Sequence, residues 1–113
     1  ARAEEMGQNP LYREKFDVVL ARAVASLNVL AELCLPLLKT GGFFLAMKGP
    51  KAEEELSLAQ RAIKTLGGAV VSSVSDPLAL VGEERTLIKI AKKRSTAAIY
   101  PRKAGIPARQ PLA

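Results

Sequence analysis

Apolar residues along the chain occur either in short runs or in stripes at helical spacing. Segments 16–21 and 43–47 are almost wholly apolar, which predicts two buried strands. Segment 69–74 is rich in valine and predicts a third strand. Segment 85–91 alternates polar and apolar side chains, as a strand with one face in water does.

Helical stripes separate the first three of these strands. An Asn-Pro pair predicts a short helix over 11–15, because Asn caps helices and Pro suits their first position. A second helix is predicted to begin at Ser26 and to stop at Gly41-Gly42, and a third to open at Pro50 and stop at Gly67-Gly68. Each of these three helices precedes one of the first three strands.

This order of elements defines the fold class. Helices that alternate with strands predict an α/β sheet whose strands are parallel and joined by right-handed crossovers. The last two strands have no helix between them, so they are expected to pair antiparallel.

Charge divides the chain unevenly. Residues 1–91 carry equal numbers of acidic and basic residues, so the whole excess of +6 lies in residues 92–113. We therefore predict a folded part over 1–91 and a basic, extended tail over 92–113. A localised basic stretch indicates a polyanionic partner such as RNA. The candidate RNA-binding residues are Lys92, Lys93, Arg94, Arg102, Lys103 and Arg109.

Composition excludes several chemistries. The chain has no histidine and one cysteine, so it holds no Ser-His-Asp triad, no histidine zinc site and no internal disulfide. Cys34 lies among leucines and is interpreted as a buried apolar residue. No metal is expected. No apolar run reaches the length that spans a bilayer, so no membrane partner is expected either.

Candidate chemistry lies where strands end, because ligands in open α/β sheets bind beyond the carboxyl ends of the strands. Arg22 follows the first predicted strand and Lys48 follows the second. Residues 1–5 are expected to follow a strand that precedes this chain. A charge at one strand end is common, but two at equivalent ends of neighbouring strands favour a site.

Motifs along the whole chain carry a family resemblance. They run in order from Arg2-Ala3-Glu4-Glu5 and 16–25 through 32–37, Gly41-Gly42, Lys48-Gly49 and 53–56 to 84–87 and the Tyr-Pro-Arg ending at 100–107. Together they resemble the 16S ribosomal RNA guanine-N7 methyltransferases, also called ribosomal small-subunit methyltransferase G or glucose-inhibited division protein B. The resemblance covers what looks like the C-terminal half of that family.

The resemblance implies half of a Rossmann-like, class I S-adenosylmethionine-dependent methyltransferase sheet. The four strands would be strands 4 to 7 of a sheet ordered 3-2-1-4-5-7-6. Ala3 and Glu4 resemble the family's contact to the adenine end of the cofactor, and Arg22 its arginine at the cofactor and substrate site. Lys48 matches a lysine at the active-site rim. The family's Gly-rich cofactor loop would lie before Ala1.

The implied function is transfer of a methyl group from S-adenosylmethionine to guanine N7 of 16S rRNA in the small ribosomal subunit, in the cytoplasm. Two alternatives remain open: a class I methyltransferase with another substrate, and a non-catalytic RNA-binding or assembly module. This chain alone is expected to be inactive and to self-associate through strand 4, because that strand would lack its neighbour, strand 1.

Overall fold

A computed structural model describes residues 3–22, 25–49, 51–75 and 86–112, without the side chains of Ala3, Arg22 and Ser75. Four strands and four α-helices make up this part of the chain. In chain order they are α1 (Ala3–Gln8), β1 (Phe16–Arg22), α2 (Leu27–Cys34), β2 (Leu38–Lys48), α3 (Ala52–Thr65), β3 (Gly68–Ser75), β4 (Thr86–Lys92) and α4 (Ile106–Arg109), with a 3-10 turn at Leu35–Leu37.

The strands form one mixed sheet in the order β1-β2-β4-β3. β1 and β2 pair in parallel, whereas β4 is antiparallel to both β2 and β3. This order is 4-5-7-6 in the family's numbering, so the predicted topology is confirmed. The antiparallel pairing of the last two strands is confirmed as well.

Helices α2 and α3 cover one face of the sheet. Phe44, Ile88 and Ile90 point from the sheet into this layer, where they meet Leu27 and Ile63, and all five are essentially buried. Burying each such side chain contributes about 1.5–3 kcal/mol to stability. The other face is not covered in this way: Val18, Leu20 and Leu87 lie on it and are between 38% and 71% exposed.

The helix predicted over 11–15 is wrong. The helix here is α1, which ends at Gln8, and residues 9–14 form hydrogen-bonded turns. The amides of Tyr12 and Arg13 both bond to the carbonyl of Asn9. Glu14 then adopts φ 52°, which ends any helical path.

The end of the second helix also differs from the prediction. α2 stops at Cys34, and Pro36 lies in the 3-10 turn because it has no amide to continue the α-helical ladder. β2 starts at Leu38, so Gly41-Gly42 lie inside a strand. A Cβ on Gly42 would lie 2.6 Å from the Asp17 carbonyl oxygen, so a larger residue would not fit at this position of β2 without a shift of the backbone.

The C-terminal segment is not the extended tail that the charge pattern predicts. Lys92 is the last residue of β4, so the boundary drawn after residue 91 cuts a strand. Residues 96–112 then run back over α1 and α2 and include α4. Hydrogen bonds from Arg13 and Gln8 to carbonyls in this segment hold it in place.

Candidate functional site

The carboxyl ends of β1 and β2 lie side by side, as the site prediction requires. Arg22 pairs with Met47 in the parallel register, and Lys48 is the next residue of β2. The backbone positions of Arg22 and Lys48 are thus brought together. The side chain of Arg22 lies outside the described residues, so its contacts with cofactor and substrate stay a prediction.

Lys48 holds the start of α2 in place. Its ammonium donates to the carbonyl of Ala25 at 2.7 Å and lies 2.8 Å from Glu55 Oε1. The same carboxylate oxygen accepts the amide of Leu27 at 2.9 Å. Glu55 therefore neutralises Lys48 and satisfies a free donor at the α2 N-terminus, where the helix dipole favours an anion.

Burial corrects the rim position expected for Lys48. The residue is 3% exposed, because a carboxylate and a carbonyl replace the water around its ammonium. Lys48 therefore acts on the loop between β1 and α2 and does not face outward. Glu55, in the first turn of α3, is its partner.

The Ala3-Glu4 pair begins helix α1, and the Ala3 side chain lies outside the described residues. Glu4 is 8% exposed, and its Oε2 accepts the amide of Gly105 at 3.0 Å. A groove of about 400 Å³ separates α1 from residues 98–104, with Glu5 and Lys103 among its lining residues. The contact of Ala3 and Glu4 with the cofactor stays a prediction.

Two of the six candidate RNA-binding residues are engaged inside the protein. Lys92 is 1% exposed, and its ammonium lies 2.7 Å and 2.8 Å from the carbonyl oxygens of Leu35 and Leu38 and 3.1 Å from Glu14 Oε2. A phosphate contact by Lys92 is therefore wrong, because the protein supplies all its acceptors.

Arg102 is the second engaged residue. Its guanidinium forms a two-pronged pair with the buried carboxylate of Glu32, with Nε and Nη2 at 2.9 Å and 2.7 Å from the two oxygens. This pair joins the C-terminal segment to α2. The other four candidates are exposed: Lys93, Arg94, Lys103 and Arg109.

Arg13 and Glu14 form a polar hub that sequence reasoning missed. The Arg13 guanidinium donates to the carbonyls of Gly7, Thr96, Ala97 and Tyr100 at 2.6–2.9 Å. Glu14 Oε2 accepts from the Thr96 amide as well as from Lys92. Arg13 and Glu14 lie more than 75 residues from each of their partners in the C-terminal segment. A local sequence pattern could therefore not predict these contacts.

Burial and pairing shift the pKa values of these groups. Burial raises the pKa of Glu14, but hydrogen bonds from Thr96 and Lys92 and the charge of Lys92 outweigh it and hold the value below normal. Burial lowers the pKa of Lys92. The hydrogen bond to Glu32 raises the pKa of Arg102. Burial raises the pKa of the Cys34 thiol to about 12, so this cysteine is not a thiolate nucleophile.

The described ranges offer neither a metal-binding cluster nor a membrane-spanning helix. No group of three or more His, Cys, Asp or Glu side chains there could hold a metal ion. No helix within 3–22, 25–49, 51–75 or 86–112 is long and apolar enough to cross a membrane.

The fold matches that of class I S-adenosylmethionine-dependent methyltransferases. A solved 16S rRNA adenine-N1 methyltransferase from Catenulisporales acidiphilia, with S-adenosylmethionine as cosubstrate, superposes with a TM-score of 0.60. The match covers 86% of this chain and 58% of that one at 12% identity, and it therefore concerns the fold alone.

Sequence comparisons identify the family within that class. The family described as rRNA small subunit methyltransferase G matches residues 1–94. Ribosomal RNA small subunit methyltransferase G of Lactobacillus acidophilus is 56% identical over 111 residues, and that of Ligilactobacillus salivarius 51% over 113. The chain belongs to this family. The matches cover 98–99% of the chain but only 46–47% of these relatives, so it spans about half their length.

Proposed function

We propose that this chain forms the C-terminal part of an S-adenosylmethionine-dependent methyltransferase that modifies guanine N7 of 16S rRNA. The observation that carries the proposal is the family match along nearly the whole chain, at 51–56% identity to relatives named as ribosomal RNA small subunit methyltransferases. The half-sheet with strand order 4-5-7-6 supports it. Because its substrate is ribosomal RNA, the enzyme would act in the cytoplasm.

The residues present fit part of a cofactor site. The carboxyl ends of β1 and β2 form the edge where this fold binds ligands, and Arg22 stands there. Arg22, with Ala3 and Glu4, would hold the cofactor, which supplies a reactive sulfonium methyl group when bound. Gly41-Gly42 in β2 and Gly67-Gly68 at the start of β3 are structural and do not form the Gly-rich cofactor loop.

The proposed chemistry needs no acid or base from this chain. Guanine N7 carries a lone pair and no proton, so it can attack a methyl group directly. The absence of histidine is therefore compatible with the reaction. The protein has mainly to align the two reactants. Since N7 must stay free, Arg22 would contact guanine O6, a phosphate or the cofactor carboxylate rather than N7.

Lys48 and Glu55 have a positioning role in this proposal. Their ion pair ties the loop after Arg22 to the end of β2 and to the first turn of α3. Ala25 and the start of α2 are thereby held beside the end of β2. Lys93, Arg94, Lys103 and Arg109, which are exposed, would contact RNA phosphates.

A chimaera tests the proposal. In it, this chain replaces the matching 111-residue region of the Lactobacillus acidophilus relative, which supplies the remaining half. The chimaera is expected to transfer methyl groups from S-adenosylmethionine to small ribosomal subunits that lack the modification. The chain alone is expected to show no turnover. An inactive chimaera that is folded and binds the cofactor would refute the proposal and favour a non-catalytic module.

A further inference from the structure

Four exposed cations meet at the C-terminal end of α3. Arg61 and Lys64 are three residues apart on the helix and so lie on neighbouring positions of one surface. The guanidinium of Arg94 donates to the carbonyl of Lys64 at 2.6 Å, which places Arg94 beside that surface. Lys93 precedes it and is exposed too. We call Arg61, Lys64, Lys93 and Arg94 the distal patch.

The backbone brings the two segments of the distal patch together. The amides of Lys93 and Arg94 both donate to the carbonyl of Gly67, at 2.8 Å and 3.1 Å. Gly67 has φ 94°, and a Cβ there would lie 2.4 Å from the Arg94 carbonyl oxygen. Only glycine permits this approach. The patch is therefore built by main-chain contacts and does not depend on flexible side chains meeting by chance.

In the part of the chain that the structure describes, the segments around the distal patch hold no acidic residue to balance it. Neither 56–75 nor 86–112 contains an aspartate or glutamate. The acids of α3 lie in its first turn, at the opposite end of the helix. The nearby acid Glu14, which is partly exposed, is already paired with Lys92. An unbalanced group of four cations attracts a polyanion. The Arg94 guanidinium uses Nη2 for the Lys64 carbonyl and has further N–H donors that suit a phosphate.

The position of the distal patch indicates a large partner. α3 starts just after the carboxyl end of β2 and has 14 residues, so its far end lies about 20 Å from the edge that carries Arg22 and Lys48. A nucleotide bound at that edge could not reach the patch. A folded RNA could contact both places at once.

We propose that the distal patch binds the phosphate backbone of the RNA substrate away from the methylated base. The inference rests on the proposed function, and it adds two helix residues, Arg61 and Lys64, to the candidate RNA-binding set. It also separates Lys93 and Arg94 from Lys103 and Arg109, which lie on the α1 and α4 side.

Salt-dependent RNA binding tests the patch. The measurement is the slope of log affinity against log salt for the chimaera and a short RNA hairpin. Arg61→Gln with Lys64→Gln removes two phosphate contacts and is expected to flatten the slope by about 1.4–1.8. Lys15→Gln with Lys39→Gln is the matched control, because it changes the net charge equally at exposed positions outside the patch. The control is expected to flatten the slope by less than half as much.

Other results would overturn the proposal. A change in slope less than twice that of the control would mean that only net charge matters. If the Arg61 and Lys64 double variant loses binding to vesicles of phosphatidylserine and phosphatidylcholine but keeps the parent's salt slope for RNA, the patch binds a membrane and not RNA. Methylation by the parent chimaera is measured in parallel: its absence would refute the proposed function, whereas an active chimaera with an unaltered slope would refute only the patch.

Discussion

Lys92 shows how single residues in this chain depend on distant partners. Its ammonium is buried because Glu14, 78 residues away, and two carbonyls meet it there. A sequence pattern could place Lys92 at a strand end but could not supply those partners. Arg102 behaves in the same way with Glu32. The strand-end positions of Arg22 and Lys48 were predictable, because that prediction needed only the local pattern of apolar residues.

The pairing of Glu14 predicts acid sensitivity. Because its folded-state pKa lies below the ordinary value of 4.5, the pair contributes stability above that value and loses it as pH falls through the lower one. Glu14→Gln should reduce the free energy of unfolding at neutral pH by about 2 kcal/mol, less than for a fully buried pair because Glu14 is partly exposed. The substitution should also make the free energy of unfolding fall less steeply as the pH drops below 4.5.

Urea unfolding of the chimaera at several pH values measures both effects. Glu53→Gln is the control, since Glu53 is an exposed acid in the first turn of α3. If the parent and the Glu14 variant lose the same free energy of unfolding between neutral and acid pH, this carboxylate does not stabilise the fold.

Arg22 is the residue on which catalysis should depend most. In the chimaera, Arg22→Ala should lower the rate of methyl transfer by about 100-fold, the size of effect that misplaced reactants produce. The melting temperature should change little, because the substitution is at the last residue of β1. Lys15→Ala is the control for loss of an exposed cation. Unchanged turnover would remove Arg22 from the site.

At the scale of elements, strands were predicted better than helix ends. The apolar runs at 16–21 and 43–47 fall within β1 and β2. The predicted burial of β1 is wrong for the described sheet, because Val18 and Leu20 are 49% and 71% exposed on its uncovered face. The error at 11–15 arose because an Asn-Pro pair also suits turns. The extended tail was wrong because its anchors, Arg13 and Glu32, are distant in sequence.

The outer edge of β1 predicts association of the chain on its own. β1 ends the described sheet, and Val18 and Leu20 are 49% and 71% exposed. A strand with free backbone groups and apolar side chains pairs readily with another copy. Light scattering of the 113-residue chain is therefore expected to show dimers or larger species.

Leu20→Lys should shift that chain toward monomer, because a charge on an edge strand opposes pairing. Leu58→Lys is the matched control, since Leu58 is 69% exposed on α3, away from the edge. If both substitutions reduce the apparent mass equally, general hydrophobicity and not the β1 edge drives association.

At the scale of the whole molecule, the two faces of the described sheet differ. The sheet has helices on one face and exposed apolar side chains on the other, and the chain spans about half the length of its relatives. The topology was predictable because the family resemblance and the alternation of elements agreed. The polar hub and the distal patch were not predictable, because both join segments that are distant in sequence.

The position of the transferred methyl group on the RNA decides whether the enzyme that contains this chain modifies guanine N7. Small ribosomal subunits that lack the modification are incubated with the chimaera and labelled S-adenosylmethionine, and the 16S rRNA is digested to nucleosides and analysed by mass spectrometry. We expect 7-methylguanosine as the labelled product, at one site in 16S rRNA. Label on another atom or another base, or on no nucleoside at all, would contradict it.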